Sequence, residues 1–413
     1  MKIALIIGAL NTKGGGQRQF LQLAQNLQKK GYEITVYTIN YNRKKCYWNL
    51  CNKLKILTLK HVISNNILST SRYPLLIKIN HFINLVKMGY TVSRYNYDIL
   101  NPHEWPANWI AFFAKLFNFK KTIIIWTCND LWHVNNSKGS NSFVSFDQIT
   151  RHIDILLTRT LANEIVVLDN RIKRLVRKIY KKQAFVIRSG LDRNKLRHFT
   201  QSKQQFTDFR KKLEVTNKQL LILSVGIFFP HRRYEDSILA IKNIIKSQPR
   251  LNKIIKYIII GEKSLNSDYY QNTKNLIKQL KLDTIITLIT KSVEEHELLK
   301  FYNACDIFIF PNDKQTWGLA VTEAMALGKP CIVSKGSGVH EVLTDNNNAL
   351  LVEPRQPNLI TERLLKLSSN CQLRKRIGET AQNYILANYS WEDYTHSMLK
   401  IFNSINIAYD KTN

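Results

Sequence analysis

The feature that most constrains the fold of this chain is a repeated alternation of short β-branched apolar runs with stretches of helical periodicity. Such alternation is typical of parallel sheets flanked by helices, because parallel strands are buried on both faces and are joined by helical crossovers. The sequence therefore predicts an α/β fold, with strands over residues 3–7, 34–38, 123–126, 165–168, 185–187, 220–226, 257–261, 285–289, 307–310, 331–334 and 349–352.

A polar stretch after Asp192 divides this pattern into two halves of similar size. Residues 193–219 carry no strand pattern, and their latter part is compatible with a short helix. We therefore predict two doubly wound, Rossmann-like domains over residues 1–190 and 191–385, followed by a C-terminal helix over residues 386–413. Ligands of open α/β sheets bind outside the carboxyl ends of the strands, so two facing domains would leave a ligand cleft between them.

Each predicted domain begins with a strand followed by a loop suited to ligand binding. The first loop is "GALNTKGGG", residues 8–16, and the second is "GIFFPHRR", residues 226–233. Neither loop is a GxGxxG dinucleotide fingerprint, which argues against a bound NAD or FAD. A plain turn is the alternative for the glycine run, although a simple connection does not need three glycines.

A third loop, "NDKQTWG", leads from the predicted strand at 305–311 into a helix over residues 318–327. The free amides of Gly318, Leu319 and Ala320 and the helix dipole favour a phosphate. Glu323 lies about one turn into the helix, where its carboxylate can accept hydrogen bonds from sugar hydroxyls. The alternative is an ordinary turn and helix stop at Gly328, which any strand–loop–helix unit requires.

This third loop and its helix resemble the signature of the retaining family 4 glycosyltransferases of GT-B fold. In that signature two glutamates eight positions apart bracket a Phe-Gly or Trp-Gly loop before "EAMA.G.P"; here the first glutamate is Gln315. The resemblance extends along nearly the whole chain, through "GGGQRQFLQLAQNLQKKGYEITVYT", "FVIRSGLD", "SVGIFFPHRRYEDSILAI", "VEEHELLKFYNACDIFIFP", "GSGVHEVLTDNNNALLVEP" and "NYSWEDY".

The resemblance implies roles for residues of the second half. Arg232 aligns with the basic residue that neutralises the donor diphosphate and leaving group. A further arginine that the family often carries is Ile227 here, so Arg233 is the candidate for that charge. Glu323 would bind the ribose, and Gln315 would contact the transferred sugar.

In the first half, the resemblance places His103 near the donor sugar, and Gly14 and Gly15, with the adjoining Gly16, close to the diphosphate or acceptor. A lone histidine is more often structural, and that alternative applies to His103. Three further carboxylates are candidates to face the cleft, and the sequence does not rank them: Glu104, Asp130 and Glu341. In this fold the C-terminal helix crosses back to the first domain.

Together these residues predict a glycosyltransferase that moves a hexose from a nucleotide-diphosphate sugar to a glycan or lipid-linked acceptor, as in cell-surface polysaccharide or lipopolysaccharide synthesis. Retention of configuration is implied by the family. Because Arg232 and the helix amides can stabilise the leaving phosphate, and no DxD-type carboxylate pair is evident, we expect no metal and no cofactor besides the donor. The alternative is a non-catalytic nucleotide-sugar-binding subunit, suggested by Gln315 and Ile227.

The formal net charge of +31 calls for an anionic partner or another explanation. Residues 34–97 contain ten Lys or Arg and no Asp or Glu, and "RIKRLVRKIYKK", residues 171–182, has seven basic residues in twelve. The latter predicts an amphipathic helix that can lie on an anionic membrane, unless its apolar stripe packs on its own domain and the lysines are merely solvated. No nucleic-acid-binding motif accompanies the charge, so we expect no nucleic-acid partner.

Two remaining features bear on location. No apolar run reaches the roughly 18 residues of a membrane span, and the opening "MKIALIIGAL" predicts a first strand rather than a signal peptide. We therefore expect a cytoplasmic protein that can lie as a peripheral protein on the inner face of the membrane. The six cysteines lack CxxC spacing, which predicts buried reduced thiols rather than zinc or redox centres.

Overall fold

The computed structural model describes residues 1–59, 74–118, 122–131, 146–199, 202–216, 218–263, 266–291 and 293–411. The chain divides into two compact units, Met1–Gly190 with Trp391–Asn413, and Leu191–Ser390. We call them the N-terminal and the C-terminal unit. Two basic residues of the acid-free stretch, Lys60 and Arg72, lie outside the described residues.

The N-terminal unit contains a seven-stranded parallel sheet with the order β3-β2-β1-β4-β5-β6-β7. Its strands are β1 Lys2–Leu10, β2 Glu33–Tyr41, β3 Ile56–Leu57, β4 Ile99–His103, β5 Ile123–Cys128, β6 Glu164–Val167 and β7 Phe185–Val186. Its helices are α1 Gly15–Lys29, α2 Trp48–Cys51, α3 Pro74–Ser93, α4 Ala107–Phe117, α5 Phe146–Leu161, α6 Asn170–Tyr180 and, from the C terminus, α15 Trp391–Lys411.

Helices α3, α4, α5 and α6 share one apolar core with the sheet. Outside that core α1 packs against α15, where the Asn26 side-chain amide donates to the Trp391 carbonyl and to the Thr395 hydroxyl. The C-terminal helix therefore belongs to the N-terminal unit.

The C-terminal unit contains a six-stranded parallel sheet with the order β10-β9-β8-β11-β12-β13. Its strands are β8 Leu220–Val225, β9 Ile255–Ile260, β10 Ile286–Ile289, β11 Ile307–Phe310, β12 Cys331–Ser334 and β13 Leu350–Val352. Its helices are α7 Arg193–Arg197, α8 Lys203–Lys212, α9 Tyr234–Ser247, α10 Ser267–Gln279, α11 Glu295–Ala304, α12 Leu319–Ala326, α13 Pro357–Ser369 and α14 Cys371–Asn388.

The predicted α/β architecture with two parallel sheets is confirmed. The sequence pattern missed the extent of β4, which lies between β1 and β5 although it contains Asn101, Pro102 and His103. Burial of Asn101 is possible because its amide nitrogen donates to the Ile125 carbonyl and the Thr127 hydroxyl. Because the hydrogen bonds of Asn101 allow a polar residue in a central strand, the hydrophobicity pattern does not reveal this strand.

Two further expectations need comment. Five cysteines are buried and free, but Cys371 is exposed at the start of α14, so the prediction of buried thiols is wrong at that position. A helix start tolerates exposure because only one face of the helix packs on the domain. None of the helices in the described part of the chain is long and apolar enough to cross a membrane.

The buried carboxylate of Asp154 joins three helices of the N-terminal unit. One oxygen accepts hydrogen bonds from the Asn108 amide, at 3.0 Å, and the Trp109 indole N–H, at 2.7 Å. The other accepts from the Tyr180 hydroxyl, at 2.7 Å. Because these donors lie on α4 and α6 and Asp154 lies on α5, the carboxylate fixes the relative positions of all three helices.

Replacing Asp154 by alanine leaves buried donors unsatisfied, and we expect a loss of about 3 kcal/mol in the free energy of unfolding of this unit. Urea denaturation followed by tryptophan fluorescence measures it. Asp98→Ala is the control, because its carboxylate accepts a surface hydrogen bond from the Lys2 backbone N–H, and should cost less than about 1 kcal/mol. Equal losses for the two variants would contradict the role given to Asp154.

Candidate functional site

Three loops of the C-terminal unit follow the carboxyl ends of β8, β11 and β12 and are tied to one another. The backbone N–H of Asp313 donates to the His231 carbonyl at 2.8 Å. The N–H of Gln315 donates to the Gly336 carbonyl at 3.2 Å, and the Gln315 carbonyl accepts from Gly338 at 2.9 Å. Since carboxyl ends of parallel strands are where open sheets bind ligands, these loops form the candidate site of this unit.

Arg232 is held over the end of β8. A Cβ atom on Gly226 would lie 2.8 Å from the Arg232 Cζ, so the guanidinium rests directly on the Gly226 backbone. The side chain is half-buried, and its Nε has no hydrogen-bond partner among the described residues. Burial lowers the pKa of Arg232 from its ordinary value, but a guanidinium remains charged in proteins. The loop therefore presents a cation with unused donor capacity.

Arg233, the second candidate cation, is already neutralised. Its guanidinium forms ion pairs with Glu235 at 2.6 Å and with Asp236 at 2.8 Å. The residue has a positive φ of 53°, in the left-handed region, and lies between the 230–232 turn and helix α9. Within the described part of the chain, Arg232 forms no such ion pair with a carboxylate.

Gln315 contacts an imidazole that the sequence analysis did not single out. Its side chain hydrogen-bonds His231, which precedes Arg232 in the β8 loop. Burial and the charge of Arg232 lower the pKa of His231 to about 3, against the opposing effect of Gln315. The histidine is therefore neutral at physiological pH, and a neutral amide is a suitable partner for it.

Helix α12 begins at the end of the loop that follows β11. Gly318 caps the helix with a φ of 101°, a conformation that residues with side chains rarely adopt. A Cβ atom there would also lie 2.8 Å from the Phe310 ring, so both the backbone and the neighbouring ring favour glycine. The amides of Leu319 and Ala320 lie in the first turn, where N–H groups have no acceptor within the helix. Trp317 is buried and packs against the Tyr389 ring at 5.0 Å, which anchors the loop.

Glu323 lies one turn into α12 and is 7% exposed. The Tyr302 hydroxyl donates to its Oε2 at 3.1 Å. Tyr302 also lies near enough to Arg232 to influence the pKa of its guanidinium, so the carboxylate and the guanidinium lie in the same part of this unit. The structure thus brings together Arg232, Gln315, the α12 amides and Glu323.

The N-terminal unit has a site of its own at the carboxyl ends of β1, β4 and β5. Gly14 caps α1, and Gly15 and Gly16 form its first turn. A Cβ atom on Gly16 would overlap the Glu104 carboxylate, which follows β4 and has a φ of 63°. Burial raises the pKa of Glu104.

His103, the last residue of β4, is fully buried. Its Nε2 donates to the Asn101 Oδ1 at 2.9 Å, because the Asn101 amide nitrogen is engaged elsewhere. The ring meets Phe20 edge to face at 4.9 Å, and burial lowers the pKa of His103 to about 3. The imidazole is therefore neutral, and its Nδ1 is a bare acceptor without a partner among the described residues.

Within the described part of the chain no group of three His, Cys, Asp or Glu side chains is arranged to hold a metal ion. Positive charge in the C-terminal site comes from Arg232 and from the helix amides, and the Glu323 carboxylate lies one turn further into α12. Such a site favours an anion.

Two family models match the chain over adjoining regions. The model described as Glycosyltransferase Family 4 matches residues 13–195, and the model described as Glycosyl transferases group 1 matches residues 205–384. The chain is 21% identical to the N-acetyl-alpha-D-glucosaminyl L-malate synthase of Bacillus anthracis over 400 residues, which cover 95% of this chain and 94% of that protein.

Two solved structures resemble the chain over nearly their whole length. The crystal structure of Anabaena HepE in complex with UDP-glucose matches with a TM-score of 0.77 at 15% identity and covers 97% of this chain and 99% of that one. The structure of WaaG, a glycosyltransferase involved in lipopolysaccharide biosynthesis, matches with a TM-score of 0.73 at 15% identity, with the same coverage. At these identities the solved structures support the shared fold alone.

Acid should destabilise the N-terminal unit through His103. Because its folded pKa of about 3 lies below the unfolded value of 6.5, stability is full above pH 6.5 and is lost as the pH falls toward 3. Between pH 7 and pH 5 we expect His103 to contribute a loss of about 2 kcal/mol. His103→Gln should remove that part of the pH dependence of unfolding, whereas the exposed His152→Gln should not. An unchanged dependence in His103→Gln would disprove the buried, neutral state.

The contact between Gln315 and His231 is testable by titration. Gln315→Glu places a carboxylate beside the imidazole, which should raise the pKa of His231 from about 3 toward its ordinary value. The imidazole C–H chemical shift, followed by NMR between pH 3 and pH 8, reports this pKa. Lys314→Gln is the control, because it makes the charge one unit more negative, as Gln315→Glu does, but on the adjacent exposed side chain. An equal shift in both variants would show that the contact is not specific.

Proposed function

Because this chain belongs to the family 4 glycosyltransferases of GT-B fold, we propose that it moves a hexose from a nucleotide-diphosphate sugar to a glycan or lipid-linked acceptor with retention of configuration. The observation that carries the proposal is the geometry of Arg232. Its charged guanidinium rests on Gly226, has no carboxylate partner among the residues that the structure describes, and belongs to the same loop cluster as the start of α12. UDP-glucose bound to the HepE fold supports a nucleotide-sugar donor.

The proposed chemistry follows from where charge develops. Breaking the bond between sugar and diphosphate builds negative charge on the leaving phosphate. Arg232 and the amides of Leu319 and Ala320 would stabilise that charge, since preorganised donors in a partly dry site act strongly on a developing anion. We propose that this set needs no metal ion and no cofactor besides the donor.

Glu323 and Gln315 would orient the donor. The Glu323 carboxylate, already partnered by Tyr302, would accept from the ribose hydroxyls. Gln315, partnered by the neutral His231, would hydrogen-bond the transferred sugar as donor or acceptor. This arrangement positions the sugar without a carboxylate at residue 315.

For the N-terminal unit we propose that the glycine run and His103 contact the donor diphosphate, the sugar or the acceptor. The bare Nδ1 of His103 would accept a hydrogen bond from a hydroxyl. Gly14, Gly15 and Gly16 expose the α1 amides, which favour an anionic group.

We further propose that the acceptor belongs to a cell-surface polysaccharide or lipopolysaccharide and that the protein works as a peripheral protein on the cytoplasmic face of an anionic membrane. WaaG, which shares the fold, is a glycosyltransferase involved in lipopolysaccharide biosynthesis, and this motivates the proposed acceptor class. The basic outer face of α6 supports the membrane partner, because clustered Lys and Arg are attracted to anionic leaflets. Nucleic acid is not a proposed partner.

A non-catalytic nucleotide-sugar-binding subunit is the second candidate. It is favoured by Gln315 and Ile227, which stand where a carboxylate and an arginine occur in the family signature. Donor hydrolysis separates the two candidates. An enzyme releases nucleotide diphosphate from its donor and loses this activity in Arg232→Ala, whereas a binding subunit releases none in either form.

Donor binding should depend on Arg232 and hardly on Arg233. In thermal-shift titrations with a panel of nucleotide sugars, Arg232→Ala should weaken donor affinity by about a hundredfold, because a charge-assisted contact to the diphosphate is lost. Arg233→Ala is the matched control, because its charge is compensated by Glu235 and Asp236. Equal losses in the two variants, or no donor that stabilises the wild type, would contradict the proposed function.

A further inference from the structure

Exposed apolar side chains are concentrated on three helices of the N-terminal unit. Of the thirteen large apolar residues that are substantially exposed among those the structure describes, nine lie on α3, α4 and α5. They are Ile79, Phe82, Ile83, Tyr90, Leu116, Phe117, Ile149, Ile153 and Leu156. We call these nine residues the apolar face.

The apolar face is built on a rigid support. Helices α3 to α6 pack on one core, and rings join α3 to α4, with Phe82 edge to face on Phe113 at 5.6 Å and Tyr90 on Phe117 at 5.9 Å. Asp154 ties α4, α5 and α6 through buried hydrogen bonds. The exposure of these residues is therefore not a consequence of loose packing.

The exposed apolar residues of α3 and of α5 are spaced so that they form a stripe along one side of each helix. On α5, Ile149, Ile153 and Leu156 recur at intervals of four and three residues, and Leu156 is 61% exposed. On α3, Ile79 and Ile83 are four residues apart, with Tyr90 seven residues further on. Intervals of three, four and seven place side chains on one side of a helix, so each stripe is a continuous outward surface.

Charge around the apolar face is almost entirely positive. The four helices α3 to α6 contain ten Lys or Arg and two Asp, and of these two Asp154 is buried. At the end of α6 an open pocket of about 440 Å³ is lined by Gln183 and five basic residues, namely Arg174, Arg177, Lys178, Lys181 and Lys182. An apolar surface beside a cationic surface matches acyl chains beside anionic headgroups.

We propose that this side of the N-terminal unit docks on an anionic lipid surface, with the apolar face among the acyl chains and the basic residues of α6 against headgroup phosphates. The charge complementarity favours a lipid surface over a second copy of this chain, because two copies would bring like charges together. This docking surface rests on the proposed function, in which the acceptor is membrane-borne. It would bring the enzyme to that acceptor.

Vesicle flotation of the full chain tests the proposal without any sugar donor. Wild type should float with phosphatidylcholine–phosphatidylglycerol vesicles and far less with phosphatidylcholine alone. The variant Ile79→Ser/Ile83→Ser/Leu156→Ser should lower the partition coefficient about tenfold, since buried apolar area is lost. The variant Arg174→Gln/Arg177→Gln/Lys178→Gln should lower it on the order of a hundredfold at low salt.

Trp48→Ser is the matched control, because Trp48 is 40% exposed in the same unit but lies on α2, outside the apolar face; it should float like wild type. If thermal unfolding shows that the triple serine variant is unstable, the single variant Leu156→Ser replaces it, and its vesicle binding should be weaker than that of the wild type. Residual binding in high salt that disappears in the triple serine variant would support insertion, because salt screens only the electrostatic part.

Two results would overturn the proposal. One is flotation of the triple serine variant equal to wild type. The other is absence of flotation of the wild type with all vesicles. If, in addition, the serine substitutions change the oligomeric state, the apolar face is a contact between copies of the chain. Neither result affects donor binding at Arg232, and failure of donor binding leaves vesicle binding unaffected, so the lipid-docking surface and the proposed transferase activity are tested separately.

Discussion

The seating of the Arg232 guanidinium on Gly226 is the interaction on which the C-terminal site depends. A Cβ atom at residue 226 would collide with the guanidinium, so glycine is what lets the charge lie at the carboxyl end of β8. The same charge helps to keep His231 neutral, and neutral His231 in turn suits an amide at residue 315. Burial is the larger cause of the low pKa of His231 and the Arg232 charge adds to it, so the neutral imidazole and the cation lie side by side in one loop.

In both units the candidate ligand site lies at the carboxyl ends of the parallel strands. Parallel strands end at one edge of each sheet, and that edge collects glycines, helix amides and polar side chains from segments far apart in sequence. In the C-terminal unit the edge carries the Arg232 guanidinium and the amides at the start of α12, which suit a diphosphate. In the N-terminal unit it carries the glycine run, the neutral His103 and the Glu104 carboxylate, whose pKa is raised by burial. Glycosyl transfer needs both a held leaving group and a placed acceptor, and the two edges are suited to these tasks.

The sequence was sufficient to predict the two parallel sheets and the start of α12, because buried strands and helix starts depend on local composition and spacing. It did not distinguish Arg232 from Arg233, since their difference lies in a backbone turn and in the partners Glu235 and Asp236. It did not identify His231, whose contact with Gln315 joins residues 84 positions apart. The burial of His103 and the apolar face also depend on which neighbours cover each side chain, and no local pattern encodes that.

The central claim is that the loop cluster of the C-terminal unit holds a nucleoside diphosphate on Arg232 and the start of α12. A crystal structure of the full chain soaked with uridine diphosphate tests it most directly. The account predicts phosphate oxygens within about 3 Å of the Arg232 guanidinium and of the Leu319 or Ala320 amide nitrogen, with the ribose at Glu323. A diphosphate bound elsewhere, with Arg232 still on Gly226 and in contact with no phosphate, would contradict it.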